Sequence, residues 1–555
     1  MSGTVYENAR IHTLDPARPY AEAMLVRGER IVAVGDLAEC RDRAGGGARR
    51  VDLDGMAVLP GLIDSHIHAA SYVRGLDQVD LRGTASLDEA LARIARHATT
   101  LPPDAWLLGG GWDSNRWTRP VQPSRTDLDR VCPDRPAALP SIDGHTIWVN
   151  TAALARLGID AATPDPPGGQ IARDEHGEPT GILREAAADA AYAVVRSPHA
   201  GDLVAQLRAH LPRLLAAGLT GIHDLDGQDA RAAYETLYAR GELPLRVHKT
   251  IPATALDEAI DSGWATGDGD RWLSTGPVKI FTDGALGSHT CLMTEPYDGE
   301  PGYHGIAVTP AEEFERLVAT AAGAGIAVAA HAIGDAANRM VLRAYARWRD
   351  SAGPGPAARL RHRIEHTQHL LPDDVPLLAR CGVIASTQPT HCTSDIPLTS
   401  RMLAGRGLAS YAWRSLLDAG AVVAFGSDAP VEDPDPFFGI HAAVTRQQPD
   451  GVPPGGVDPH ERLDLDTALR CFTEAGAYAS YEEHLKGRLR PGMLADFIAL
   501  PTDPYRVEPA ELRDLTVALT VVGGVVRWQR TTPRPARKPL SGRDTAVRRP
   551  SPSRG

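Results

Sequence analysis

Eight short segments rich in apolar and β-branched residues recur through the middle of the chain, and most are separated by segments with helical spacing. Eight such alternations are the count of a closed parallel (β/α)8 barrel, although an open doubly wound sheet would give a similar pattern. We therefore predict an α/β fold built on a TIM barrel. The predicted strands cover residues 58–65, 220–224, 243–251, 277–282, 326–331, 362–366, 383–388 and 421–427.

The spacing of these segments is irregular at one place. About 150 residues separate the first from the second, far more than between the other neighbours. We predict that an insertion over about residues 69–200 follows the first strand and forms a subdomain or lid over the barrel mouth. The barrel, with this insertion, is expected to occupy residues 58–485.

Both ends of the chain carry further strand-like runs, which are too few at either end to make a stable sheet alone. We predict that residues 1–57 and 486–530 combine into one small β-sandwich. The last segment, 531–555, is rich in Pro, Ser and Arg, with seven basic residues and one acidic. Such a composition predicts a disordered basic tail.

The charge of the chain excludes some partners. The formal net charge is −12 although the tail is basic, so the body is acidic, which argues against nucleic acid as a partner. The beginning of the chain lacks a signal-peptide core, no apolar run is long enough for a membrane helix, and the six cysteines are scattered. We expect no membrane association and a cytoplasmic location.

Histidines and an aspartate stand at the ends of the predicted strands. His66 and His68 end the first, and on a strand two residues that are two apart point the same way. His331, His366 and Asp428 end the fifth, sixth and eighth strands. Because the carboxyl ends of barrel strands surround one mouth, these side chains should converge. Imidazoles with a carboxylate predict a site for zinc or a similar ion.

Lys279 ends the fourth predicted strand in a chain that contains only four lysines against 54 arginines. A salt bridge is the simpler interpretation of this lysine. The alternative is a desolvated amine that loses its proton and reacts with carbon dioxide, which gives an anionic carbamate able to bridge two ions.

Six motifs in this order resemble the amidohydrolase superfamily, and closely amidohydrolase family 3, which includes N-substituted formamide deformylases: GLIDSHIH, VKIFTDGALGS, HAIGDAANR, RIEHTQ, QPTH and FGSDAPVEDPDPF. The resemblance covers the chain to about Trp528. It implies a distorted barrel, a composite sandwich and one or two divalent ions, most simply zinc, with iron or manganese as alternatives. It also implies a ligand set: His66, His68 and Asp428 on one ion, His331 and His366 on the other, and carboxylated Lys279 between them.

The resemblance implies a metal-dependent hydrolase that cleaves a non-peptide carbon–nitrogen bond in a small amide, formamide or cyclic amide. Asp428 would act as general base and then general acid, unless it serves as a ligand only. Three alternatives stay open: an ester or phosphoester hydrolase, an isomerase on the same centre, and an inactive scaffold. A mononuclear deaminase is disfavoured, because the position of its glutamate, three residues after His331, is Gly334.

The substrate is expected to be a small molecule, and the resemblance leaves a homodimer as an expectation. Candidate substrate contacts are Trp112 and His145 in the insertion, and Gln388 and His391 after the seventh strand. Structural roles remain the alternative for each. A further candidate, His289, stands where the family usually has arginine, which predicts weaker and pH-dependent recognition of an anionic group.

Overall fold

Eight parallel strands form the central sheet of the computed structural model, which describes residues 3–76, 78–102, 105–195, 203–353, 355 and 359–530. Neighbours in the chain are neighbours in the sheet, and most strand residues are buried, as in sheets covered on both faces. The strands are β1 (Leu62–Ile67), β2 (Leu219–Asp224), β3 (Arg246–Pro252), β4 (Leu273–Phe281), β5 (Val328–Ala332), β6 (Arg363–His366), β7 (Ile384–Thr387) and β8 (Val422–Phe425).

Hydrogen bonds bring the two ends of this sheet together. The Asp64 carboxylate accepts from the Ser427 amide at 3.0 Å and from its hydroxyl at 2.5 Å. The Asp428 amide donates to the His66 carbonyl at 2.7 Å. A side chain at Gly426 would meet the His66 amide nitrogen at 2.5 Å, so glycine permits this close approach. The sheet is therefore a nearly closed barrel, as predicted.

Helices surround the barrel and bury one face against it. In the helix Asp335–Ala352, for example, Ala337, Val341, Ala344 and Tyr345 are buried at helical spacing. The main helices of this layer are Ala69–Gly75, Leu203–Ala216, Gln228–Ala239, Leu256–Asp261, Ala311–Gly323, Asp335–Ala352, Val375–Cys381, Pro389–Ser394, Ile396–Met402, Trp413–Asp418, Pro436–Thr445, Leu465–Cys471 and Glu474–Ala479.

The predicted insertion after β1 is an α/β subdomain with its own apolar clusters. Its mixed sheet contains Val79–Asp80, Leu107–Gly110, Ala137–Pro140, Thr146–Val149, Gly169–Arg173 and Pro179–Glu185. Its helices are Leu87–Ala98, Arg125–Val131, Thr151–Leu157 and Asp189–Val195.

The two ends of the chain form two further sheets with a shared apolar core that includes Tyr6, Met24, Phe497 and Val521. This confirms the composite β-sandwich. One sheet contains Thr4–Glu7, Ala23–Arg27, Arg30–Gly35 and Arg49–Asp52. The other contains Arg10–His12, Tyr20–Ala21, Ala57–Pro60, Phe497–Leu500, Leu519–Val522 and Val525–Gln529.

The first predicted strand, 58–65, is two strands in the structure. Ala57–Pro60 pairs with Phe497–Leu500 in the terminal sheet, and the barrel strand begins only at Leu62. The break lies at Gly61, where a Cβ would meet the Thr220 hydroxyl at 2.2 Å. The division between sandwich and barrel therefore falls at Gly61 rather than after residue 57.

A buried ion pair joins the barrel to the sandwich. Asp496, just before the strand Phe497–Leu500, accepts from Arg246 on β3 at 2.6 and 2.8 Å. The predicted basic tail, 531–555, lies outside the described residues. Within the part of the chain that is described, no helix is long and apolar enough to cross a membrane.

Candidate metal centre

The structure brings the predicted strand-end ligands together at the carboxyl end of the barrel. The Nε2 atoms of His66 and His68 lie 3.2 and 3.4 Å from the Asp428 Oδ1 atom. The ring centroid of His366 lies 4.9 Å from that of His66 and 4.5 Å from that of His331. Side chains from β1, β5, β6 and the end of β8 thus share one place, as the barrel geometry requires.

The atoms at the centre of this cluster fit a divalent ion. One ligand atom from each of His66, His366 and Asp428 lies within 4.8 Å of the other two. The Nε2 atom of His66 and the Nδ1 atom of His366 are buried and have no hydrogen-bond partner among the described residues. Buried polar atoms without partners are costly, and a metal ion that accepts their lone pairs would remove that cost.

Two further carboxylates contact the histidines of the first strand. Glu365 Oε2 lies 2.7 Å from His66 Nδ1, and Asp226 Oδ1 lies 3.5 Å from His68 Nδ1. Burial by itself would raise the pKa of Glu365, but Arg363 and His66 lower it, so the group is a carboxylate. Neither acid is among the candidate site residues predicted from the sequence. Glu365 stands beside His366 in the RIEH motif, but strand alternation places neighbouring residues on opposite faces.

Lys279 is buried at the end of β4. Its Nζ atom has no hydrogen-bond partner within the described ranges and lies 4.6 Å from the ring centroid of Phe281. Burial lowers the pKa of Lys279 to about 8, although Glu365 and Asp428 act in the opposite direction. The simpler interpretation, a salt-bridged lysine, does not describe this environment.

A cavity of about 130 Å³ opens next to the ligands. His366 and Asp428 line it, together with Asp143 and His145 of the insertion. The insertion therefore forms a wall of this cavity, as predicted for a lid. Apolar surface comes from Ile142, Leu286, Ile333, Leu398 and Val431.

His145 is a buried part of this wall and pairs with Glu185, which the sequence analysis did not single out. The His145 Nδ1 atom lies 3.0 Å from Glu185 Oε2. Burial alone would lower the pKa of His145, but the Glu185 charge raises it to about 9. Glu185 has a φ of 50°, and a side chain at Gly284 would meet its Oε1 atom at 2.2 Å. Strained backbone of this kind is concentrated at functional sites.

His391 also lines the cavity, between two carboxylates. Its Nε2 atom lies 3.2 Å from Asp428 Oδ2, and its Nδ1 atom lies 3.8 Å from Glu432 Oε1. Burial alone would lower the pKa of His391, but these two acids raise it to about 10. His391 is therefore a proton-bearing neighbour of the candidate metal ligand Asp428.

The structure places three other candidate substrate contacts outside the lining of the cavity. Trp112 is buried in the insertion core, where its Nε1 atom donates to the Leu139 carbonyl, so its role is packing. His289 is partly exposed and pairs with Glu300 at 3.0 Å. Gln388 is buried at the start of the helix Pro389–Ser394.

Comparisons with known proteins agree with this geometry. The model of the "Amidohydrolase family" matches residues 49–527. Protein LONG AFTER FAR-RED 3 of Arabidopsis thaliana is 34% identical over 534 residues, which cover 93% of this chain and 90% of that protein. N-substituted formamide deformylase of Arthrobacter pascens is 32% identical over 545 residues, which cover 94% and 98%.

A solved structure supports the same assignment. The crystal structure of an uncharacterized metal-dependent hydrolase from Pyrococcus horikoshii OT3 superposes with a TM-score of 0.73 at 27% identity and covers 92% of this chain and 99% of that one. The resemblance predicted from the six motifs is confirmed. The chain therefore belongs to the amidohydrolase family and is a hydrolase.

Proposed function

We propose that this hydrolase cleaves a non-peptide carbon–nitrogen bond in a small amide, formamide or cyclic amide. The observation that carries the proposal is the group formed by His66, His366 and Asp428 beside a cavity, with two buried ring nitrogens lacking partners among the described residues. The similarity to an N-substituted formamide deformylase supports a carbon–nitrogen bond as the target.

We propose zinc as the ion, because imidazole and carboxylate ligands suit it. His66, His366 and Asp428 would hold it, together with His68, and His331 would contribute to a second ion if Lys279 is N-carboxylated. When bound, such an ion lowers the pKa of a water molecule and polarises a carbonyl oxygen. The lowered pKa of Lys279 favours the neutral amine that carboxylation requires.

Asp428 is placed to accept a proton from the attacking water. Burial alone would raise the pKa of Asp428, but His66 and His391 hold it well below its usual range, so the group is ionised. His391 bears a proton 3.2 Å from Asp428 Oδ2 and faces the cavity. The pair can therefore take a proton at Asp428 and return one from His391 Nε2 to the leaving nitrogen.

His145 lines the same cavity from the insertion, with its ring centroid 5.0 Å from that of His331. Because Glu185 binds its Nδ1 atom, the Nε2 atom is the one available to a molecule in the cavity. A protonated imidazole at this position would donate a hydrogen bond to the carbonyl oxygen as negative charge develops there. The insertion thus supplies a group for the reaction as well as a wall.

The deaminase alternative meets a steric obstacle. A Cβ at Gly334 would lie 2.0 Å from the Leu292 carbonyl oxygen, so the position of the deaminase glutamate accepts no side chain. The inactive-scaffold alternative has no support in the ligand set, since every predicted ligand residue is present. We further propose a small-molecule substrate and a cytoplasmic location, the latter because all six cysteines are free.

The test is a substrate panel with metal analysis. Purified protein should contain at least one equivalent of zinc and hydrolyse N-substituted formamides or cyclic amides faster than matched carboxylic and phosphoric esters. Asp428→Asn should lower kcat/KM by about 10²–10⁴-fold. Asp464→Asn, at a helix N-terminus remote from the cavity, is the matched control because asparagine caps equally well. Hydrolysis of esters alone, or full activity of Asp428→Asn, would contradict the proposal.

A further inference from the structure

Glu365 and His366 are consecutive residues of β6, yet both contact His66. Strand alternation would send them to opposite faces of the barrel. His366 and Thr367 have φ values of 70° and 47°, in the left-handed region, so the regular strand ends at Glu365. This bend allows the carboxylate and the imidazole to reach the same histidine from one strand.

The Glu365 carboxylate is held in a fixed orientation. Its side chain is fully buried, and Oε2 accepts from His66 Nδ1 at 2.7 Å and from Arg363 Nη2 at 2.9 Å. Arg363 is itself buried and donates to the Ser386 hydroxyl at 2.7 Å and the Ser65 carbonyl at 2.5 Å. These contacts hold the carboxylate against His66.

This contact determines which nitrogen of His66 carries the proton. A carboxylate beside Nδ1 requires an N–H there, so in the neutral ring, the form that can bind an ion, the lone pair is on Nε2. That Nε2 atom lies 3.2 Å from Asp428 Oδ1 and has no hydrogen-bond partner in the described parts of the chain. The opposite tautomer would point an N–H at the place where the ligand atoms meet.

We propose that Glu365 is a positioning residue that fixes the His66 tautomer and so sets the affinity of the centre for its ion. Strand β6 then supplies one ligand, His366, and the carboxylate that orients a second ligand on β1. The inference rests on the proposed function in one respect, that the site binds a divalent ion. Carboxylates in this position typically contribute 10–100-fold to metal affinity.

The test measures metal binding rather than activity. Protein stripped with a chelator is titrated with Zn²⁺ in competition with a chromophoric chelator. Glu365→Gln should bind Zn²⁺ about 10–100-fold more weakly than the wild type. Glu461→Gln is the matched control, because Glu461 is also buried but bonds to Ser415, outside the cavity lining. Unchanged affinity in a folded Glu365→Gln variant would overturn the proposal.

A double-variant cycle separates positioning from a general structural effect. If Glu365 acts through His66, Glu365→Gln should cause less than about a twofold further loss of Zn²⁺ affinity in a His66→Ala background. An equal loss in both backgrounds would overturn the proposal. The visible spectrum of the Co²⁺ form should differ between wild type and Glu365→Gln and be unaltered in Glu461→Gln.

A measurement on the wild type decides the question if Glu365→Gln fails to fold. In ¹⁵N-histidine-labelled, metal-free protein, the His66 ring, assigned by its loss in His66→Ala, should show the Nδ1–H tautomer. An Nε2–H tautomer would overturn the inference. If the wild type binds no Zn²⁺ and yet shows the Nδ1–H tautomer, the proposed function fails while the positioning contact stands.

Discussion

Replacing Lys279 by methionine should stabilise the metal-free protein, because the structure buries this amine without a hydrogen-bond partner among the described residues. Methionine keeps the length of the side chain and removes the charge. This environment penalises the charged form of the native lysine, since burial lowers its pKa to about 8 from 10.5. Folding at neutral pH must therefore either lose the lysine proton or bury a cation.

The size of the effect follows from the difference between the two pKa values. Between pH 8 and 10.5 the unfolded chain holds the lysine proton more tightly than the folded chain, so stability rises with pH. The destabilisation is about 3 kcal/mol at pH 7 and about 1.4 kcal/mol at pH 9.5. Lys279→Met removes this destabilisation at both pH values. The amount by which its free energy of unfolding exceeds that of the wild type should therefore fall by about half between pH 7 and pH 9.5.

The assay is urea denaturation of chelator-treated protein in carbon dioxide-free buffer at pH 7 and pH 9.5. Lys249→Met is a control of opposite sign, because Lys249 is equally buried but lies 3.2 Å from Asp224 Oδ1. Removing one partner of a buried pair typically costs about 3–5 kcal/mol. The reasoning would be refuted if Lys279→Met unfolded at a lower urea concentration than the wild type at pH 7. It would also be refuted if the stability difference between the variant and the wild type grew with pH.

Two further predictions concern buried carboxylates. Asp496→Ala should destabilise the protein by about 3–5 kcal/mol in urea denaturation, because it leaves Arg246 buried without its partner. Glu313→Ala, whose partner Arg316 is exposed, should cost less, and an equal cost would contradict this view. Glu185→Gln should lower the pKa of His145 from about 9, since it removes the largest charge that opposes burial and leaves only Asp143 and Asp283 to act in that direction. Histidine NMR over a pH series should show a lower pKa for His145 in the variant than in the wild type, and an unchanged pKa would show that Glu185 does not hold the proton.

The sequence predicted the barrel because its strands are short apolar runs between helices with clear spacing. It also predicted that the strand-end histidines and Asp428 converge, since barrel topology gathers the carboxyl ends of all strands at one mouth. The break at Gly61 was missed because both sides of it are buried, so the apolar pattern continues across it.

Other parts of the site depend on local backbone geometry that a residue pattern does not show. Glu365 and His366 both reach His66 because the strand bends at His366, which has a left-handed conformation, and Glu185 reaches His145 from a strained position of its own. Trp112 was predicted to face the cavity because the insertion around it resembles that of the family. The three-dimensional structure instead surrounds it with Trp117 and Trp148.

The insertion has a consequence for how such a protein can change. Its wall of the cavity, with Asp113, Asn115, Asp143 and His145, is encoded between β1 and β2. The candidate ligands, in contrast, stand on the barrel strands or directly after them. The Asp428 amide donates to the His66 carbonyl and so joins the end of β8 to β1. Substitutions within the insertion can therefore change one wall of the cavity while the candidate ligands keep their positions on the barrel. His145 is the exception, because its ring centroid lies 5.0 Å from that of His331.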